Sequence, residues 1–260
     1  MAVANQREPV LQGLERGLAV IEAFSEDNPA MTLSAVARRT GITRATARRI
    51  LLSLEELGYV RSDGGRFSLS PRVLRLGWSY FGSLNLWERA QPLMEELAAE
   101  LEETCSATTL DLPEIVFVAR APGPRIMTMS LSVGSRLPAY ATAMGRVLLA
   151  GLDDGSVERY LSSIPLEALT PRTVTDPERV LEAVRAARGQ GWALVDEELE
   201  LGLRSMSVPL RVSDGRLAGA LNICAATSRI SVAEMERRFL PAMQRKACAV
   251  SAAWTHAAQT

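Results

Sequence analysis

Two groups of residues in this 260-residue chain have types and spacing suited to chemistry. The first is a run of cations. Arg44 and Arg48 stand four apart and share a face if the segment is helical, with Ala45, Thr46 and Arg49 beside them. An arginine fork donates paired hydrogen bonds to phosphate oxygens or to a guanine edge, which is chemistry for nucleic acid. The second group is short and polar: Ser205 and Ser207 in one apolar run, Asn222 and Cys224 in another. On a strand each pair falls on one face. Open solvent usually recruits longer charged side chains, so two readings stand: a confined, partly polar cavity, or a sheet face covered by a helix.

Catalysis is not expected. The one histidine, His256, lies near the C-terminal end of the sequence, which removes Ser-His and Cys-His nucleophile pairs and histidine metal sites. Residues 134–145, GSRLPAYATAMG, lack the spacing of either common phosphate loop. Small residues there leave room for a ligand, and amides at a helix start favour an anion; close helix–sheet packing is the alternative. The acidic run Asp196-Glu197-Glu198-Leu199-Glu200 reads as a turn after a strand, because consecutive carboxylates point in different directions. Cys105, Cys224 and Cys248 are too scattered for a disulfide framework or metal cluster, as suits a reducing compartment. No metal and no cofactor are expected.

The cations need a helix held from behind. Leu33, Val36 and Ala37 give a first helix its apolar face, and Gly41 stands where the chain must leave it in a left-handed turn. Ile42 plugs the corner and Thr43 can cap a second helix, on which Ala47, Ile50, Leu51, Leu54 and Leu57 share a face. An Asp63-Gly64-Gly65 turn between two short strands makes a hairpin wing. A helix with a packed back and a basic front near its N-terminus is built to enter a major groove; the alternative is a helical hairpin with a solvated arginine face. Thr32, Thr43, Arg44, Ala45, Thr46, Arg48 and Arg49, with Arg66 on the wing, are the expected DNA contacts. An earlier helix carries Leu14, Leu18 and Ile21 as its inward stripe. Charge follows the same division. Residues 32–76 carry nine arginines against three acids, whereas residues 84–260 carry 18 basic and 22 acidic side chains.

Ser70-Pro71 starts a helical connector whose Val73, Leu76, Trp78, Tyr80 and Phe81 exceed what a lone helix can bury. A second subunit or the chain's own second domain would cover it. Beyond it the pattern predicts a helix over 88–104, strands over 107–112, 115–119 and 126–133, and helices over 138–152 and 153–161. A helix opening at Asp176-Pro177, strands over 192–195, 205–212 and 217–225, and a long final helix from Ser231 follow. The expected class is α+β, with an antiparallel sheet flanked by helices. No apolar run approaches the roughly 20 residues of a membrane span, and MAVANQREPV has no apolar signal core. A cytoplasmic protein without membrane partners is expected.

From about residue 11 to residue 255 the chain resembles the IclR family of bacterial transcription regulators. The resemblance is carried by LERGLAVIEAF, by GITRATARRILLSLEELGYV with its wing, by GSRLPAYATAMGRVLLAG, and by DEELELGLRSMSVPLR followed by ALNIC. It implies a winged helix-turn-helix at 1–70, a linker helix at 71–85 and a GAF-like effector-binding domain at 86–260. It further implies a homodimer formed through the DNA-binding half, often a dimer of dimers, bound to a double-stranded operator and controlled by a small organic acid. A dimer places two recognition helices about one DNA turn apart, so the operator should be roughly palindromic. By motif position the effector pocket would include Ile126, Met129, Leu137, Ala143, Met144 and Ser205, then Asn222 and Cys224, with Asp196 or its neighbour at the rim. Tyr140 stands in the same segment where many members have histidine. RLPAYATAMGRVLLAGL looks most like the β-ketoadipate-pathway subgroup, whose members sense aromatic acids or their ring-cleavage products. Two other classes are an architectural or dimerisation protein without a ligand, and a DNA-binding module fused to an enzyme.

Overall fold

Side-chain caps set where the second and third helices begin. In the computed structural model, which describes residues 11–25, 27–77, 86–124, 131–212 and 214–255, the chain divides into two units, Met1–Ser83 and Leu84–Thr260. The first holds α1 (Gln12–Glu22), β1 (Ala30–Thr32), α2 (Leu33–Thr40), α3 (Arg44–Glu56), β2 (Val60–Asp63) and β3 (Arg66–Leu69). The Thr32 hydroxyl accepts from the Ala35 amide at 3.3 Å to start α2, and Gly41 ends it at φ 66°. The Thr43 hydroxyl accepts from the Thr46 amide at 3.2 Å to start α3. Gly64 and Gly65, both at positive φ, turn β2 into β3 with Asp63 opposite Arg66. Val20, Phe24, Met31, Val36, Leu51 and Val60 meet in one core drawn from every part of the unit except β3, whose Phe67 and Leu69 pack against it.

Several expectations for this unit need correction. Leu14 and Leu18 do not face inward; they are 61% and 45% exposed, and Val20, Ala23 and Phe24 fill the interior instead. Leu57 is exposed because α3 stops at Glu56 and leaves it as the C-terminal cap. Periodicity gives no sign of β1, which is three residues long and completes a sheet in the order β1-β3-β2. Ser70 caps a 3-10 turn at Pro71–Val73 by accepting from the Arg72 amide, and residues 74–77 continue it helically. Trp78, Tyr80 and Phe81 lie outside the described residues.

The second unit contains α4 (Leu86–Leu101), β4 (Cys105–Asp111), β5 (Glu114–Ala121), β6 (Arg136–Pro138), α5 (Ala143–Leu149), α6 (Asp154–Ser163) and α7 (Pro177–Gln190). Then come β7 (Ala193–Asp196), β8 (Leu203–Arg211), β9 (Leu217–Ala226) and α8 (Leu240–Thr255). The six strands are antiparallel in the order β6-β5-β4-β9-β8-β7. α4 and α8 pack together against one face, and α5 covers the other, joined there by α6 and α7. Strand alternation serves both layers: Met206, Val208 and Leu210 of β8 are buried on one side, Ser205 and Ser207 on the other. This is the expected α+β architecture.

The helix expected over 138–152 begins only at Ala143, since residues 136–138 form β6 and the Thr142 hydroxyl caps α5 by accepting from Gly145. Of the strand expected over 126–133, residues 125–130 lie outside the described set and residues 131–135 are irregular. The Ser231 hydroxyl accepts from the Glu234 amide as its capping box implies, but a π-helical turn, Met235–Phe239, intervenes before α8. That turn places Met235 and Phe239 in the interior together.

Candidate functional site

The basic face stands as its spacing implies. Arg44, Ala45, Arg48 and Arg49 are exposed on α3, and no acidic side chain among the described residues holds Arg44 or Arg48. The hydroxyls of Thr43 and Thr46 are bonded to each other at 2.9 Å, so the first turn presents a fixed polar patch beside the guanidinium groups. Arg66 differs: it is exposed, but its Nη2 donates to the Ala30 carbonyl at 2.6 Å and is engaged with its own sheet. A short helix with free forks over its first turns has the shape and charge to read a groove.

In the second unit a small, partly enclosed cavity of about 30 Å³ lies between α5 and the sheet. Its floor is read from strand register. Arg120 on β5 pairs with Ser106 on β4, Ser106 with Asn222 on β9, and Asn222 with Ser207 on β8. Directly opposed residues share a face, so this is one polar row across four strands. Arg120, Ser106 and Asn222 line the cavity, while Ser207 turns its hydroxyl to the Leu221 carbonyl at 2.9 Å. A second row, Cys224, Ser205 and Val195, runs beside it and also lines the space. Thr142 and Met144 close it from α5, and Phe117, Leu131, Leu137 and Leu199 supply apolar wall. Burial pushes the Cys224 thiol up to about 11, and the hydrogen bond from the Asn222 amide at 3.0 Å partly offsets this.

The expected pocket residues separate accordingly. Leu137, Met144, Ser205, Asn222 and Cys224 line the cavity. Ile126 and Met129 lie outside the described residues. Tyr140 is buried away from it, donating its hydroxyl to the Glu167 carbonyl at 2.8 Å and its amide to the Tyr160 hydroxyl at 3.1 Å. Ala143 is enclosed in packing. Asp196 is taken by Arg204 through bonds of 2.8 and 2.9 Å. The small residues at the start of α5 serve close approach: a Cβ on Gly145 would lie 1.9 Å from the Ala139 carbonyl oxygen. The Gly145 amide is already bonded to the Thr142 hydroxyl and is not open to an anion.

The acidic run is a turn, as its sequence implies, and a pinned one. Glu198 is buried with Arg146 of α5 at 2.7 Å and also accepts from the Val174 amide. The hydroxyls of Thr170 and Thr173 donate to the carbonyls of Glu197 and Glu198, each at 2.6 Å. This fixes Leu199 and Leu203 over the cavity. Sequence reasoning missed Arg120 and Ser106. One signal for Arg120 was present, a lone cation inside the apolar run IVFVARA.

Residues 13–64 match the IclR helix-turn-helix domain, and residues 78–252 match the bacterial transcriptional regulator IclR C-terminal domain. The chain is 44% identical to the Pca regulon regulatory protein of Pseudomonas putida over 232 residues, 89% of this chain and 80% of that protein. It is 38% identical to the p-hydroxybenzoate hydroxylase transcriptional activator of Acinetobacter baylyi, over 92% of this chain and 90% of that one. Among solved structures, an IclR homolog from Microbacterium hydrocarbonoxydans complexed with 4-hydroxybenzoate superposes with a TM-score of 0.80. The two are 26% identical, with 93% of this chain and 98% of that chain covered.

Proposed function

Because this chain belongs to the IclR family of bacterial transcriptional regulators, we propose that it controls genes of aromatic-acid catabolism in response to a small aromatic acid bound beneath α5. The observation that carries the effector reading is the polar row, with one cation, across the floor of an otherwise largely apolar cavity. The aromatic choice is supported by the relatives, one named for the Pca regulon, one for p-hydroxybenzoate hydroxylase, and one holding 4-hydroxybenzoate. Residues 1–70 read DNA, with Arg44 and Arg48 on base edges or phosphates and Thr32, Thr43, Ala45, Thr46, Arg49 and the wing around them. A linker over 71–85 joins them to the sensor, 86–260.

The protein works in the cytoplasm as a homodimer, assembled further as a dimer of dimers, and it catalyses no reaction. The uncovered leucines of α1 support the dimer. The test is a mobility shift on the DNA upstream of neighbouring catabolic genes, with and without protocatechuate, 4-hydroxybenzoate or β-ketoadipate. One of these acids should change binding and raise the thermal stability of the full chain. If none does either at millimolar concentration, the second unit is a dimerisation domain and not a sensor.

A further inference from the structure

The described wall of the cavity carries a cation with no acid to meet it. Resting on the effector reading above, we propose that Arg120 anchors the ligand's carboxylate and that Asn222 reads a hydroxyl at its other end. The ligand class is therefore a hydroxylated monocyclic aromatic carboxylate. Arg120 is half-buried, and its one described side-chain partner is the Leu131 carbonyl, to which Nη1 donates. A guanidinium has five N–H donors, so most of this fork has no partner among the described residues. The neighbouring buried carboxylate, Glu103, is ion-paired with Arg229. A ligand carboxylate would complete the fork with charge-assisted hydrogen bonds.

Asn222 supplies an independent observation. It is 1% exposed, its amide nitrogen donates to the Cys224 sulfur, and its Oδ1 meets no donor. A buried amide oxygen left so is costly unless a ligand group fills the position. A hydroxyl satisfies it whichever way the amide is turned, since it both donates and accepts. Arg120 and Asn222 stand two strands apart in one row, about 9–10 Å between backbones. Phe117, Leu137 and Met144 stand in the wall of the same cavity.

Calorimetry on the full-length chain tests this with four probes: 4-hydroxybenzoate, benzoate, 4-hydroxybenzamide and benzamide. Wild type should bind 4-hydroxybenzoate about 10- to 100-fold more tightly than its neutral amide. Arg120→Met should lose that margin on the acid while its affinity for the amide is unchanged. Asn222→Ala should narrow the preference for 4-hydroxybenzoate over benzoate about fivefold. Equal binding of acid and amide by wild type overturns the anchor without any variant having to fold. Equal loss of acid and amide in Arg120→Met overturns it too, because the side chain then only shapes the pocket. An unchanged hydroxyl preference in Asn222→Ala removes Asn222 from the assignment. Failure of wild type to bind any aromatic acid sinks the effector reading itself, a result distinct from tight binding that ignores Arg120.

Discussion

A guanidinium in water and one in a half-closed cavity are different reagents, and this chain uses both. Arg44 and Arg48 stand exposed to water on α3. Replacing either with alanine should weaken operator binding by ~1–3 kcal/mol if the side chain reads a guanine edge. If it meets phosphate, binding should fall alike on operator and random DNA, with a shallower salt dependence. Mobility shifts on both DNAs at two salt concentrations separate the cases, and no loss on either rejects α3 as the reading helix. Cys224 offers a probe of the second environment. Its thiol sits at about 11, chiefly through burial, so it is almost wholly protonated at neutral pH. At pH 8 only about one thiol in a thousand is the reactive thiolate, so iodoacetamide should label exposed Cys248 long before Cys224. Raising the pH toward 11 should close the gap, as site-resolved mass spectrometry would show; equal rates at pH 8 would contradict the buried setting. At this scale the sequence was legible where residue types were odd for their strand, as with Ser205, Asn222 and Cys224. Arg120 escaped because a cation near a strand end is ordinary until register sets it beside Ser106 and Asn222.

Elements here were legible in proportion to how local their causes are. Caps at Thr43 and Ser231, the helix start at Asp176 and the left-handed Gly41 are properties of a few neighbouring residues, and all are observed. β1 and the shortened α5 depend on partners distant in sequence: the pairing of residues 30–32 with 66–68, and the seating of Gly145 on Ala139. The acidic turn is the element with most at stake. Removing one partner of a buried ion pair leaves the other uncompensated, so Glu198→Ala should cost about 3–5 kcal/mol of the second unit's stability. The exposed pair between Glu100 and Arg245 is a control, and Glu100→Ala should cost under about 1 kcal/mol. Urea unfolding followed by circular dichroism distinguishes them. Equal losses would mean that the turn is not held by Arg146.

At the scale of the whole molecule, the sequence announced its division through charge and a change of hydrophobic period, while the leucine stripe of α1 was assigned the wrong direction. Nothing in LERGLAVIEAF says whether Leu14 and Leu18 face their own core; their exclusion from the packed interior shows that they do not. Leu14→Glu with Leu18→Glu should leave the fold intact and convert a dimer to monomers by sedimentation, with a sharp loss of operator affinity. A double variant that stays dimeric would move the contact elsewhere. One feature of the first unit also constrains how a signal can reach DNA. β1 runs directly into α2 and is laddered to the inner strand of the wing, Thr32 lies opposite Arg66, and one core draws on α1, α2, α3 and the strands. The described elements of this unit thus share one packed core. On the proposed dimer, occupancy of the cavity would act by altering the distance or angle between two such units. A DNA fragment carrying one arm of the palindrome should then bind equally well with and without effector. Only the intact palindrome, and variants with a base pair inserted between its arms, should report the ligand.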